Sequence, residues 1–207
     1  MRIELTNVSK RYTFDWILKE INYTFEDNKH YGISGANGVG KSTLMKMIVG
    51  FMSPSKGQIL YTVDKNHIEA DSIYKFVSYA APYVDPIPDF SLQELLTFYE
   101  KFRPFHISKE QITDLLGFPK KHRRKTIKYF SSGMQQRVKL ALALCSKSSL
   151  VILDEPTITL DKPGIQFYQT LLSESQQNQR TVIIASNVES DFNTCSELLQ
   201  ICDKKLV

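Results

Sequence analysis

The sequence predicts an α/β domain built on a mostly parallel sheet, and three stretches carry that prediction. The first is Gly35-Ala36-Asn37-Gly38-Val39-Gly40-Lys41-Ser42-Thr43, a match to G-x-x-x-x-G-K-[ST] set between a short strand (His30 to Ser34) and a helix (Leu44 to Val49, ended by Gly50). The other two are the unbroken apolar runs Leu150–Leu153 and Thr181–Ala185, which have the composition of parallel strands buried on both faces.

At 207 residues the chain can bury a sizeable core as one domain, or as one core with a subdomain. Its 42% hydrophobic and 23% charged content is that of a soluble globular protein. No window approaches the roughly 18 consecutive apolar residues of a membrane span. Met1-Arg2-Ile3-Glu4-Leu5 reads as a strand and lacks the apolar centre of a signal peptide, so a cytoplasmic location is expected. Cys145, Cys195 and Cys202 form no Cys-x-x-Cys pair and are odd in number, which suits reduced core residues. A net charge of +4 is too small to argue for a polyanion partner, and no nucleic acid is expected.

Taken in order, residues 3–8 alternate apolar and polar like a half-buried strand, and Ile21–Phe25 repeats the pattern before the turn at Glu26-Asp27-Asn28. The glycine loop and its helix follow. Ser53 to Gly57 is a turn, and Gln58–Val63 and Lys75–Ala80 are strands. Pro82, Pro86 and Pro88 then break the pattern. Ser91-Leu92-Gln93-Glu94 has the form of a capping box, and Leu92, Leu95, Leu96, Tyr99 and Phe102 continue at helical spacing. Ser108 to Leu116, closed by Gly117, is a second short helix, and Val138 to Cys145 an amphipathic third. Residues 84–148 are therefore expected to form a mostly helical subdomain inserted into a core made of 1–83 and 149–207. After the strand at 150, Gly164 to Ser175 is a helix, and Glu197 to Val207 a small hairpin.

The residue types in the glycine loop suit a nucleoside triphosphate. Glycines at 35, 38 and 40 let the backbone fold tightly with its N–H groups aimed at phosphate oxygens. The following helix turns its positive end to the same oxygens. Lys41 supplies a point charge for the β- and γ-phosphates, and the Ser42 hydroxyl can ligate Mg²⁺. The strand Leu150–Leu153 ends in Asp154-Glu155-Pro156, where open α/β sheets collect ligands. Asp154 can hold the same Mg²⁺, and Glu155 can accept a proton from an attacking water. Phe130-Ser131-Ser132-Gly133-Met134 opens a helix and offers a second anion cradle of hydroxyl, free N–H groups and dipole; taken alone it reads as a serine N-cap.

Together these residues resemble the ATP-binding cassette (ABC) ATPases, over essentially the whole chain and in the family's order. Gly35–Thr43 resembles the Walker A loop, Phe130–Met134 the signature, Leu150–Glu155 Walker B, and Thr157-Ile158-Thr159-Leu160-Asp161 the D-loop. The resemblance implies a P-loop NTPase fold of ABC type, with a RecA-like core, an antiparallel β subdomain and the inserted helical subdomain. It implies ATP and Mg²⁺ as ligands. Tyr12 falls where the family stacks an aromatic ring on adenine, with Ile17 beside it. It further implies a head-to-tail dimer of cassettes, homo- or heteromeric, in which Ser131 and Gly133 act on the partner's nucleotide; Ser132 and Asp161 are further nucleotide-binding candidates. A separate integral membrane permease would seat its cytoplasmic helices in a groove beside the helical subdomain, holding the chain at the inner face of the cell membrane. Tyr83, Phe90, Phe98, Phe102 and Phe105 are candidates for that groove.

Two positions depart from the family. Asn187 stands where a histidine should follow the strand Thr181–Ala185, and Pro82 stands where a glutamine usually reaches Mg²⁺ and water. Ser132 and Met134 alter the signature. Loss of one positioned transition-state contact commonly costs about 10²–10³ in rate, so the expectation is a slow ATPase. The alternatives are a hydrolysis-impaired regulatory cassette of a heterodimer, or a soluble cassette ATPase outside transport. The basic run Lys120 to Lys125, with Lys128, reads as a solvated face, the alternative being a site for nucleic acid or anionic lipid headgroups.

Overall fold

Two sheets organise the computed structural model, which describes every residue except 120, 121, 123 and 124, and the side chain of 177. The basic run of the sequence therefore lies mostly outside the described residues. The smaller sheet is antiparallel, in the order β2-β1-β4-β5, from β1 (Arg2–Tyr12), β2 (Asp15–Phe25), β4 (Lys56–Val63) and β5 (Asn66–Ile68). The larger has the order β10-β9-β3-β8-β7-β6, from β3 (His30–Ser34), β6 (Val77–Ala80), β7 (Leu150–Asp154), β8 (Thr181–Ala185), β9 (Glu197–Cys202) and β10 (Lys205–Leu206). All its pairings are parallel except β9 with β10.

The pleat of the central strands divides the interior into two cores. Val151, Leu153, Val182 and Ile184 face one side, against the helices α2 (Leu92–Phe102), α3 (Lys109–Leu116), α4 (Ser132–Cys145) and α5 (Lys162–Gln177). Leu150, Ile152, Ile183 and Ala185 face the other, against α1 (Lys41–Ile48) and the antiparallel sheet. Two-sided burial explains why β7 and β8 read as continuous apolar runs. Between the proline-rich break and β7 the described residues include α2, α3 and α4. α4 packs on β6 and α5 as well as α3, so these helices share one core with the sheet.

Local signals set the helix starts. Ser91 accepts from the Glu94 amide at 3.3 Å, and Glu94 accepts from the Ser91 amide at 2.8 Å. Ser108 and Gln111 repeat this capping box on α3, which ends at Gly117 with φ 66°. Asp161 caps α5, accepting from the Gly164 amide at 3.0 Å, and proline occupies its first turn.

Several boundaries differ from the sequence reading. The expected strands at 3–8 and 21–25 extend to residues 12 and 15 and meet in a hairpin. Bulges in the β1–β2 pairing, with Asn7 and Glu20 at φ 51° and 50°, interrupt the period-2 pattern that would have shown their full length. β6 begins at Val77, not Lys75, because Ala70–Lys75 forms a 3₁₀ turn. α4 and α5 are longer at their ends than Val138–Cys145 and Gly164–Ser175. The terminal hairpin exists, but its first strand also pairs parallel with β3 and so belongs to the central sheet.

His30, at the start of β3, is buried, and its Nε2 has no hydrogen-bond partner. Desolvation, with Arg180 adding to it, lowers its pKa from 6.5 to about 4. The unfolded chain therefore takes up this proton at higher pH than the folded one. Stability contributed here is complete above pH 6.5 and is lost as the pH falls from 6.5 toward 4, by roughly 3 kcal/mol in all. Urea titrations at pH 7 and pH 4.5 should show most of this loss, and His30→Gln should flatten the slope. An equally steep slope in the variant would remove His30 as its cause.

Candidate functional site

Four adjacent parallel strands deliver the candidate groups to one edge of the sheet. β3 runs into the glycine loop, β6 into the loop carrying Pro82 and Tyr83, β7 ends on Asp154, and β8 leads to Asn187. Register holds these ends level, since Asp154 lies opposite Ala185, Ile33 opposite Ala185, and Ala80 opposite Leu153. Such an edge, at the carboxyl ends of parallel strands, is where α/β sheets bind ligands.

The loop between β3 and α1 needs its glycines for space as well as conformation. Gly35 has φ 147°, and a Cβ there would come within 2.9 Å of Val39 and 3.0 Å of the Ile201 carbonyl. Gly40, at φ 116°, would meet Ile17 and Leu18 at 3.0 Å. It begins α1 with no side-chain cap, which leaves the first amides of the helix for an external acceptor.

Lys41, almost wholly buried, gathers the site. Its Nζ donates to the Gly35 carbonyl at 2.6 Å and to the Asn187 Oδ1 at 2.7 Å, and lies 3.6 Å from the Glu155 Oε1. Asn187 in turn donates from its Nδ2 to the Asn37 side-chain oxygen. The glycine loop, the acid after β7 and the amide after β8 thus meet around one ammonium. Glu155 sits at φ 49°, and its amide donates to the Ala185 carbonyl at 2.8 Å, fixing the side chain toward the lysine.

Asp154 is 1% exposed. Burial raises its pKa; the neighbouring Ser42 and Tyr83 hydroxyls and the charges of Lys41 and Lys46 oppose that shift. Its Oδ2 accepts from the Tyr83 hydroxyl at 3.2 Å, while Oδ1 is buried without a hydrogen-bond partner. A buried carboxylate oxygen with no donor, next to the serine that follows the lysine, is the donor set a hard divalent cation takes. The residues present therefore fit Mg²⁺.

Other predicted residues lie apart. Among the described residues, no hydrogen bond or ion pair joins Tyr12, Ser131, Ser132, Gly133 or Asp161 to the glycine loop. Tyr12 is exposed, with its hydroxyl 3.2 Å from the Met52 sulfur. Ser131 caps α4 by accepting from the Met134 amide at 3.3 Å. Gly133 lies against the Thr159 carbonyl, where a Cβ would approach to 3.0 Å. Asp161 pairs with Arg137 of α4, and the buried Gln136 donates to the Pro156 carbonyl at 2.9 Å. The start of α4 is thereby tied to the loop after β7.

Two features went unread in the sequence. One is Tyr83, grouped there with the aromatics of a docking groove; its hydroxyl instead reaches Asp154. The other is Asp191, buried just past β8. Its Oδ2 accepts from Thr157 at 3.0 Å and from Ser186 at 2.6 Å, and burial raises its pKa. An acid inside a short 3₁₀ turn carries no sequence signal of such a role. Of the remaining groove candidates, Phe105 is core, whereas Phe102 is exposed and lines an apolar groove of about 280 Å³ with Phe51, Tyr74, Tyr79 and Leu142.

Residues 18–158 match the ABC transporter family. An uncharacterised ABC transporter ATP-binding protein of Bacillus subtilis, YybJ, is 29% identical over 97% of this chain and 89% of its own length. The lantibiotic transport ATP-binding protein SrtF of Streptococcus pyogenes is 28% identical over 95% of this chain and 85% of its own length. Among solved structures, the ATP-binding cassette MJ0796 superposes with a TM-score of 0.84 at 20% identity, over 99% of this chain and 96% of that one.

Proposed function

The chain belongs to the ABC transporter family, and from that premise we propose that it binds and hydrolyses MgATP to power a separate membrane permease. The observation that carries this reading is the meeting of Lys41, Asn187 and Glu155 beside Asp154 and Ser42. In the proposed mechanism Lys41 turns from the Gly35 carbonyl and Asn187 to the β- and γ-phosphates, which the amides of residues 36–43 surround. Ser42 and Asp154 hold Mg²⁺, which supplies positive charge to the phosphate oxygens when bound. Glu155, freed from Lys41, orients the attacking water and accepts its proton. Asn187 donates one amide hydrogen bond toward the γ-phosphate. Tyr12 stacks on the adenine.

Dimerisation is part of the proposal. Among the described residues Ser131, Ser132 and Gly133 make no hydrogen bond to the glycine loop of their own chain, and they are proposed to complete the site of a second cassette. Asp161 lies on the same loop as their anchor, Pro156. The proposed pairing is head to tail, with an identical or a related cassette. The apolar groove beside the helical segment, rimmed by exposed Phe51, Tyr74 and Phe102, is the proposed seat of the permease at the inner face of the membrane. Among the described residues no helix is long and apolar enough to cross a membrane.

Mg²⁺-dependent ATP binding and phosphate release by the purified chain, with ATP-dependent dimer formation on gel filtration, test the proposal. Absence of nucleotide binding would end it. Asn187 favours a second reading, a cassette that closes on ATP but hydrolyses it slowly. Asn187→His should then raise turnover by about 10-fold or more. A variant no faster than the parent would show that this position does not limit the rate.

A further inference from the structure

The two oxygens of Asp154 differ: one accepts a hydrogen bond and the other is left for a cation. Its Oδ2 accepts from the Tyr83 hydroxyl at 3.2 Å, and its Oδ1 is buried and without a partner. Tyr83 is itself held on several sides. Its hydroxyl is hydrogen-bonded to that of Tyr79, and the Lys46 ammonium of α1 lies 4.0 Å from its ring centroid. The loop that carries it is pinned to α4, whose Lys139 reaches the carbonyls of Ala81 and Pro82 at 3.4 Å and the Asp85 carboxylate at 3.2 Å. Tyr79 also lines the apolar groove. Two hydrogen bonds therefore lead from the groove wall to the carboxylate.

We propose that Tyr83 is the positioning residue of the metal site: its hydroxyl fixes Asp154 so that Oδ1 faces the cation, with Tyr79 setting the angle of Tyr83 from the groove side. This assignment rests on the reading of Asp154 and Ser42 as the Mg²⁺ site. It also fills the gap left by Pro82, which carries no polar side chain, since the next residue along the loop supplies one. Hydrogen-bond partners of ligating carboxylates fix their orientation, and their loss typically weakens metal affinity by about 10–100-fold.

The test is Mn²⁺ binding, followed by electron paramagnetic resonance, in the presence of a non-hydrolysable ATP analogue. Tyr83→Phe removes the hydroxyl and keeps the ring over which Lys46 sits. Mn²⁺ affinity should fall about 10-fold, and the Mg²⁺ concentration for half-maximal hydrolysis should rise equally. Nucleotide affinity in EDTA and the melting temperature should stay at parental values. Tyr79→Phe should shift the metal affinity in the same direction by a smaller factor. Unchanged Mn²⁺ affinity in Tyr83→Phe overturns the assignment and leaves the ATPase reading intact. A fall in melting temperature with no change in metal affinity overturns it too, marking a packing role. Failure of the parent chain to bind Mn²⁺ with the analogue overturns both.

Discussion

Lys41→Ala is expected to abolish MgATP binding at millimolar nucleotide and to leave no measurable hydrolysis. The reason lies in how little else in the site is cationic. Lys41 stands inside the loop, donating to the Gly35 carbonyl at 2.6 Å and to Asn187 at 2.7 Å, and faces Glu155 at 3.6 Å. Without it, a bound triphosphate would meet the carboxylates of Asp154 and Glu155 with Mg²⁺, the loop amides and Lys46 to offset them, but with no ammonium inside the loop. Like charges close together in a partly buried site cost several kcal/mol, enough to move affinity by about 10²-fold or more. Titration with a fluorescent ATP analogue measures this directly. A variant that binds within about threefold of the parent would show that the ammonium does not contact phosphate. Circular dichroism should show the fold intact, because the variant also frees the Gly35 carbonyl and Asn187 to pair with water.

Glu155→Gln is expected to separate binding from chemistry. The substitution keeps the size and hydrogen-bonding reach of the side chain but removes the proton acceptor. Hydrolysis should fall by about 10²–10⁴, the usual contribution of a positioned general base. MgATP affinity should hold or improve, since one negative charge leaves the site. ATP would then persist between two copies, and the dimer should become stable enough to follow by gel filtration or light scattering. Parental turnover in this variant would assign the base elsewhere. Loss of binding along with turnover would mean that Glu155 acts by holding Lys41 in place, not by accepting a proton.

The sequence made the frame of this site legible because backbone chemistry dictates it. A loop with glycines at 35, 38 and 40 can fold in few ways, and short apolar runs such as Val151–Leu153 have the composition of strands buried on both faces of a parallel sheet. Their order then placed Lys41, Asp154, Glu155 and Asn187 on one edge. Side-chain reach was not legible in the same way. Tyr83 looks like any aromatic after a proline, and only the level ends of β6 and β7 bring its hydroxyl to Asp154. Lengths of β1 and β2 were hidden by residues in the left-handed region, which break alternation without breaking pairing. Ser131 to Gly133, proposed to act on a second copy, could be named from pattern, but within one chain their contacts are those of a helix start.

Asp191 has a mechanical implication. One carboxylate oxygen receives Thr157, from the segment leading to Gly133's neighbour Thr159, and Ser186, the residue before Asn187. The strip that would touch a sister subunit and the amide resting on Lys41 are yoked to the same buried post. Displacing either strip strains a hydrogen bond to the same carboxylate oxygen, so Asp191 holds the loop after β7 and the residue preceding Asn187 in fixed relation to each other.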